Sequence, residues 1–368
     1  DLAYTKSTKT QPGGMAPTDI IQRGISMARN FPGKFGQGQY GDAGQSNRIN
    51  PVGEAEASGI FKAETPTLSM RFGFTAEVFK NFVLEGAYTN RTSYTEAYSA
   101  RGTYNTFTPN PSTGNYLFQL VTGDSTLNYS NNRINTNQYY GSANYSFNIK
   151  SAHEFKMQAG FQGLDNTSKS ISGTRAGLTD PNRPYFNLAV SNLQPSLAGS
   201  ATDNSLAGTF GRFNYSYNQK YLLEVTGRYD ASSRFSQLLN NQTEIFSGIS
   251  AGWILTKEKF MENVNFLNYA KIRVSRGSIG NQEVGAASNY PFVAQLNPGT
   301  AYYFNNNISR GSSLNSLPNE NIAWETSVQS NLGVDLVLLK NKLSITFDVY
   351  RKKINDLIIQ LPVPTAIG

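Results

Sequence analysis

The sequence predicts an all-β fold, an antiparallel transmembrane β-barrel, on three observations. Apolar and polar residues alternate with period two over paired segments. Those pairs meet at short turns while the remaining connections are long and polar. The composition suits a pleated sheet: Gly (33), Tyr (21) and Phe (22) are abundant, and aromatic rings pack well on a pleat while Gly and Asn supply bends. Only 38% of the 368 residues are hydrophobic and 15% charged, both below what soluble domains usually carry.

The alternation runs through five pairs. Met70, Phe72, Phe74, Ala76 and Val78 reach Lys80-Asn81, and the chain returns with Phe82, Leu84, Gly86 and Tyr88. Tyr139, Gly141, Ala143, Tyr145, Phe147 and Ile149 oppose Tyr140, Ser142, Asn144, Ser146 and Asn148. After Lys150-Ser151-Ala152, Phe155, Met157, Ala159 and Phe161 alternate with polar residues. Phe213, Tyr215 and Tyr217 lead through Asn218-Gln219-Lys220 to Tyr221, Leu223, Val225, Gly227 and Tyr229. Segments 244–255 and 268–277 are joined by a connector in which a short helical turn is expected at Lys257–Met261. Val328, Leu332, Val334, Leu336 and Leu338 turn at Lys340-Asn341 into Leu343, Ile345, Phe347 and Val349. Each segment has one apolar and one polar face, the signature of a strand between two environments.

The division is therefore a loop-rich stretch over 1–65, read as an extracellular loop or a strand remnant, and about ten barrel strands over 66–364. Connections 97–134, 166–204, 231–243 and 278–321 are long and rich in Asn, Gly, Ser, Thr and Pro. Short turns at one end and long loops at the other is the sorting of outer-membrane barrels, with tight periplasmic turns and extended extracellular loops. No run approaches 18 apolar residues, so no membrane-crossing helix is predicted, but barrel strands need only about 9–11 residues each. On this reading Phe72, Phe161, Val225 and Leu336 touch hydrocarbon. Phe79, Phe82, Tyr145, Phe147, Phe155, Tyr217, Tyr221 and Tyr269 stand next to the short turns and read as a periplasmic-side aromatic girdle. Asp1-Leu2-Ala3-Tyr4 has neither a basic start nor an apolar core, so no signal peptide is expected here and the chain reads as a fragment.

Several chemistries are disfavoured. There is no cysteine and one histidine, His153, which excludes disulfides, thiolate sites and any site built on two imidazoles. His153 reads as a solvated turn histidine, and no catalytic residue, metal site or cofactor site is expected. The net charge of +7 is scattered rather than blocked, which argues against nucleic acid as a partner. The glycines of 33–44 lack the Lys-Ser/Thr of a phosphate cradle. Asp180-Pro181-Asn182 and Asp203-Asn204 read as turn formers.

Two groups are candidates for contact with a solute. Glu224, Arg228, Asp230 and Arg234 lie on the polar side of one strand and its extension, where they face a lumen, either pairing with each other or touching substrate or a plug. Tyr302, Tyr303 and Phe304 sit in the 278–321 connection beside Asn305-Asn306-Asn307, an arrangement suited to stacking on sugars, to peptide capture, or equally to packing against a partner.

Four motifs resemble the SusC/RagA family of TonB-dependent outer-membrane transporters, as a central barrel fragment. Tyr221–Phe235 contains Arg228-Tyr229-Asp230-Ala231-Ser232-Ser233-Arg234-Phe235, similar to the family's Arg-x-Asp-Gly-Ser-Ser-Arg-Phe with Ala231 in place of glycine. Ser250-Ala251-Gly252-Trp253 with Lys259-Phe260-Met261, then Tyr269–Gln282 ending in Gly280-Asn281-Gln282, and finally Leu317–Thr326 with Asn319, Trp324 and Glu325, follow in the family's order. The resemblance is strong from about 205 to 364, rests on strand pattern from 60 to 204, and is weak before that. It implies part of a 22-stranded barrel whose plug is not in this chain, in the outer membrane of a Gram-negative bacterium. It further implies TonB-driven import of an oligosaccharide or peptide, a SusD-like lipoprotein partner, surrounding outer-membrane lipid, and no enzyme activity. A siderophore-type or passive barrel and a soluble all-β glycan-binding protein are the alternatives.

Overall fold

The computed structural model describes residues 1–13, 16–26, 33–35, 38–42, 50–110, 112–113, 115–120, 125–190, 192, 194–264, 266–284, 289–304, 307–316 and 318–359. The strands in chain order are β1 (Leu2–Pro12), β2 (Tyr40–Gly41), β3 (Gly59–Phe79), β4 (Phe82–Arg101), β5 (Asn105–Pro109), β6 (Tyr116–Leu120), β7 (Thr126–Ile149) and β8 (His153–Ala176). They continue as β9 (Ser196–Tyr217), β10 (Tyr221–Ser232), β11 (Thr243–Ile254), β12 (Leu267–Asn281), β13 (Gln295–Phe304), β14 (Asn307–Ser316), β15 (Glu325–Leu338) and β16 (Leu343–Asn355). Two helices, α1 (Pro17–Ser26) and α2 (Pro51–Ala57), precede β3. One sheet of eleven strands runs in the order β1-β3-β4-β7-β8-β9-β10-β11-β12-β15-β16, against the roughly ten expected.

Part of the stretch 1–65 is strand. Eleven of those residues pair antiparallel with β3, from Leu2 opposite Met70 to Pro12 opposite Ile60. A second difference is strand length. β7 and β8 each have 24 residues and β9 has 22, where crossing hydrocarbon needs about 9–11. Much of the expected loops 97–134 and 166–204 is therefore strand, and Asp203-Asn204 lies within β9 rather than at a turn. The cause is chemical. Beyond the membrane both faces of a strand meet water, so Asn, Ser and Thr occupy both and the alternation vanishes. Asp180 does make the expected turn, its Oδ1 accepting from Asn182 N at 2.9 Å.

The short turns carry the backbone their positions require. Asn81 (φ 65), Lys150 and Ser151 (φ 52 and 54), Asn218 and Gln219 (φ 49 and 53) and Lys340 and Asn341 (φ 55 and 68) are left-handed, the conformation that matches a tight hairpin to twisted strands. The expected helical turn between β11 and β12 is a pair of 3₁₀ turns, Leu255–Lys257 and Lys259–Met261.

Cα packing divides the chain into two units. The first comprises Asp1–Met70, Arg91–Asn135 and Thr167–Thr202. Its apolar centre is small: Ala100, Leu127, Leu178 and Ala189, with Ile60 and Tyr98 against it. Asn50 caps α2, its Oδ1 accepting from Val52 N at 2.8 Å and Gly53 N at 3.1 Å. The same side chain donates through Nδ2 to the carbonyls of Gly33 and Gly41 at 2.9 and 2.7 Å, so one amide holds the helix start, a bend at Gly33 and β2. Lys34 and Glu56 pair at 2.6 Å; the Lys34 hydrogen bond holds the Glu56 carboxyl below its usual range.

The second unit comprises Arg71–Asn90, Thr136–Asn166 and Asp203–Gly368. One face is apolar and open: Phe72 is 67% exposed, Phe161 53% and Val225 40%. Leu336 on the same face of its strand is half-buried. None is enclosed between stacked layers, which agrees with the expected hydrocarbon contact. Near the short turns of this unit a ladder of rings crosses neighbouring strands. Phe79 stacks on Phe82 at 4.6 Å, Tyr145 meets Phe147 at 5.4 Å, and Phe147 stacks on Phe155 at 4.8 Å. Phe155 meets Tyr215 at 5.0 Å, and Tyr217 stacks on Tyr221, which stacks on Trp253. His153, expected to be solvated, belongs to this ladder. Its Nδ1 is 2.8 Å from the Tyr215 hydroxyl and its ring 4.8 Å from Tyr217. Tyr269 does not belong, because its register puts it on the face of Lys271 and Arg273.

At Gly59, in the first unit, φ is +95° and an added Cβ would sit 1.9 Å from the Ala100 carbonyl oxygen. Gly59→Ala is expected to destabilise the full-length protein by more than about 1 kcal/mol in urea unfolding. Gly227→Ala, where a Cβ meets nothing within 4 Å, is expected to stay within about 0.5 kcal/mol.

Candidate functional site

Three of the motifs singled out in the sequence converge in the second unit. β10 ends at Ser232, and the connection to β11 turns back through Ser233, Arg234 and Phe235. Ser232 N donates to the Gln242 carbonyl at 3.0 Å and Ser233 N to that of Ser205 at 3.0 Å. The Ser232 hydroxyl accepts from Arg234 N at 3.1 Å. The buried Phe235 meets Trp324 at 5.3 Å, and Phe246 meets Trp324 edge-on at 5.5 Å. Val284 completes this cluster. Trp324 Nε1 donates to the Gln242 carbonyl at 3.1 Å, so the indole closes the packing without stranding its polar atom. Gly280 is required here because an added Cβ would meet the Phe246 ring at 2.1 Å.

This cluster decides what Arg234 does. Its Nη1 donates to Glu283 Oε2 at 2.8 Å and the Gln282 carbonyl at 3.3 Å. Arg234 therefore pins the β10–β11 connection to the chain leaving β12. Glu325 Oε1 accepts from Asn281 Nδ2 at 3.4 Å and its Oε2 from Ile358 N at 3.2 Å. The Ser-Ser-Arg-Phe, Gly-Asn-Gln and Trp-Glu motifs are thus parts of one buttress at the root of the long connections.

On the polar face of β10, Arg228 and Asp230 form a fork: Nη2 to Oδ1 at 2.7 Å and Nε to Oδ2 at 3.0 Å. The guanidinium lies 5.8 Å over the Phe210 ring. Gly208 makes room for the carboxylate, since a Cβ there would lie 1.8 Å from Asp230 Oδ1. Glu224 differs from Arg228 and Asp230: among the described residues its side chain makes no ion pair or hydrogen bond. It borders two clefts on the polar face. One is also lined by Lys271 and Arg273, the other by Arg212 and Lys352.

A second charged group escaped the sequence reading. Arg273 on β12 donates through Nε to Asp335 on β15 at 3.1 Å and through Nη2 to Asp348 on β16 at 2.7 Å. Asn331 Nδ2 donates to the same Asp348 at 2.9 Å. The guanidinium lies over Gly333, where a Cβ would come within 2.5 Å of Cζ. Alternation puts Asn331, Asp335 and Asp348 opposite the apolar residues of their strands, but it did not single out Arg273. Their pairing needed the register, in which Arg273 is opposite Gly333 rather than an acid.

The loop aromatics lie on β13, which pairs with β14 as a separate hairpin. Tyr302, Tyr303 and Phe304 are exposed. Alternation divides them: Tyr302 and Phe304 share one face with ring centroids 4.8 Å apart, and Tyr303 points to the other. They form a two-ring patch, not a three-ring platform. Asn305 and Asn306 lie outside the described residues.

At the turn end, Glu258 in the β11–β12 connector accepts from Tyr221 OH at 2.8 Å, Trp253 Nε1 at 3.1 Å and Lys220 Nζ at 3.2 Å. Its carboxyl is held below the ordinary 4.5, first by the Tyr221 hydroxyl and then by Trp253. A lowered folded-state pKa stabilises above the unfolded value and is lost as pH falls through the folded one. Local unfolding at this turn, read by Trp253 fluorescence, is therefore expected below pH 4.5, and Glu258→Gln is expected to flatten that acid limb. Trp324→Ala, which empties the buttress, is expected to cost about 3–5 kcal/mol in unfolding free energy.

Comparison with known proteins agrees with this architecture. Residues 18–368 match the family described as TonB dependent receptor-like, beta-barrel. The TonB-dependent receptor P3 of Formosa agariphila is 32% identical over 252 residues, 67% of this chain and 24% of that relative. The TonB-dependent receptor SusC of Bacteroides thetaiotaomicron is 34% identical over 164 residues, 45% of this chain and 16% of SusC. The structure of the RagAB peptide transporter superposes with a TM-score of 0.73 at 20% identity, over 90% of this chain and 35% of the other, which speaks to the fold alone. The chain spans about a quarter of the length of its P3 relative. A family match over nearly the whole chain, on strands with one hydrocarbon face and one polar face, makes this chain a member of the TonB-dependent receptor β-barrel family of the bacterial outer membrane.

Proposed function

We propose that the protein imports an oligosaccharide or peptide nutrient across the outer membrane, powered through TonB acting on a plug outside this chain. The observation that carries this reading is the two-faced sheet with tight turns at one end and long, polar extensions at the other. In hydrocarbon its end strands β1 and β16 need further neighbours, which suits a wall of a wider barrel. The polar face carries charged clefts bordered by the unpaired Glu224, as a wet lumen would. The chemistry within the described residues is binding chemistry: two adjacent exposed rings and fixed ion pairs. A SusD-like lipoprotein covering the loop end is the expected partner, a reading supported by likeness to SusC and to the RagAB transporter.

Uptake of labelled oligosaccharides and oligopeptides by cells expressing the full-length protein tests this. Uptake is expected to vanish when TonB is deleted; TonB-independent uptake would reject the proposal. Within the loop patch, Tyr302→Ala combined with Phe304→Ala is expected to weaken solute binding about tenfold, since an aromatic contact contributes about 0.5–1.5 kcal/mol. Tyr303→Ala, on the opposite face of β13, is expected to change it by less than about twofold. Calorimetric titration of the purified protein reads both.

A further inference from the structure

Charge is not spread evenly over the outward, hydrocarbon-facing side of the second unit. On β10 and β11 that face carries no charged residue, whereas β12, β15 and β16 present three cations on it, Arg276, Arg351 and Lys353, and no carboxylate. The register fixes their face. Val225 is opposite Ile249, Ile249 opposite Arg276, Arg276 opposite Ser330, and Ser330 opposite Arg351, one row across five strands. Lys353 stands one tier further from the turns, opposite Val328. All three cations are exposed, and among the described residues none of their side chains makes an ion pair or hydrogen bond.

The row climbs through the membrane, because paired residues lie across strands that are tilted. Val225 is four residues from the turn end of β10 at Tyr221. Ser330 is eight from the turn end of β15 at Leu338, and Arg351 eight from that of β16 at Leu343. At about 3.3 Å per residue and a tilt of about 40°, the row rises from about 10 Å above the turns to about 20 Å at Arg351, with Lys353 at about 25 Å. The apolar band of such barrels is about 25 Å tall, and long basic side chains carry their charged ends to its boundary. The cations begin where the hydrocarbon ends, on the side away from the tight turns. Neighbouring strands are about 4.8 Å apart, so Arg276 and Arg351 flank Ser330 at a backbone separation of about 10 Å. Their side chains are long enough to meet on one anion above the Ser330 hydroxyl. Three like charges this close repel one another, and no carboxylate on these strands offsets them.

We propose that Arg276, Arg351 and Lys353 form a binding site for the phosphate of an outer-leaflet lipid headgroup, with the Ser330 hydroxyl as a further donor. The outward face at this height meets headgroups, and phosphate is the anion that headgroups bring. Each guanidinium offers two parallel donors to a pair of phosphate oxygens, and the Lys353 ammonium adds a point charge. Acyl chains cover the apolar wall without preference; these cations single out one place on its rim by the headgroup alone.

The test uses full-length protein purified in dodecyl maltoside, stripped of lipid by extended washing and examined by native mass spectrometry. The probes are dioleoyl phosphatidic acid and dioleoylglycerol, which share their chains and differ in the phosphate. Phosphatidic acid is expected to be retained at least tenfold more than dioleoylglycerol. Arg276→Gln combined with Arg351→Gln is expected to lower retention of phosphatidic acid at least tenfold and leave that of dioleoylglycerol unchanged. Lys340→Gln, which removes a cation at the turn end, is expected to change neither. Circular dichroism and heat-modified gel mobility check that each variant is folded; if the double variant misfolds, Lys353→Gln carries the decision, with an expected loss of at least threefold. Equal retention of the two probes overturns the proposal, as does retention of phosphatidic acid unchanged in the folded variant or lost equally in Lys340→Gln. Displacement of phosphatidic acid by an equal concentration of inorganic phosphate overturns it too, since the site would then read free phosphate rather than a lipid.

Discussion

Backbone amides in hydrocarbon have no water to bond, so every N–H and C=O that crosses the membrane must find a partner strand. That requirement dictates most of the structure. Antiparallel pairing fixes side chains at period two, which forces each strand to divide its residues between lipid and lumen. The registers from β9 through β16 keep this division in phase: Val225 is opposite Phe213 and Ile249, Leu332 opposite Val274 and Val349. A slip of one residue in β10 would put Arg228 into lipid, and one in β15 would do the same to Asp335. The tight left-handed turns prevent such a slip at one end, and the Trp324 buttress holds the connections at the other.

Charge on the polar face is arranged to the same end. Arg228 with Asp230, and Arg273 with Asp335 and Asp348, satisfy one another rather than reaching outward. Each pair is partly exposed, so water and salt screen its attraction. Their effect is geometric, because the Arg273 guanidinium ties three successive strands. Glu224 has no such partner among the described residues, and neither have Lys271, Arg212 and Lys352 in the two clefts it borders.

Much of this was legible in the sequence. Where hydrocarbon lies on one side only, alternation is enforced, and the paired segments from Met70 to Val349 fall on observed strands. The turns at Asn81, Lys150 and Lys340 were readable as short polar breaks between alternating segments; of these three only Asn81 is a type that favours positive φ. β1 and the outer halves of β7, β8 and β9 were not, since water on both faces removes the pattern while the hydrogen bonding continues. The role of Arg234 was hidden for a different reason: its partners Gln282 and Glu283 are about fifty residues away and meet it only through tertiary packing. His153 was misread because proximity to a turn suggested solvent, whereas the tyrosines of β9 surround it.

The division between lipid and lumen is tested most directly by lysine substitution at adjacent residues of β10. Val225 and Thr226 are neighbours in sequence, similar in size, and on opposite faces. In urea unfolding of the full-length protein from lipid vesicles, Val225→Lys is expected to cost about 2–4 kcal/mol, the penalty for a cation near the bilayer centre. Thr226→Lys is expected to stay within about 0.5 kcal/mol of wild type. Equal penalties at the two positions, or a larger one at Thr226, would contradict the account.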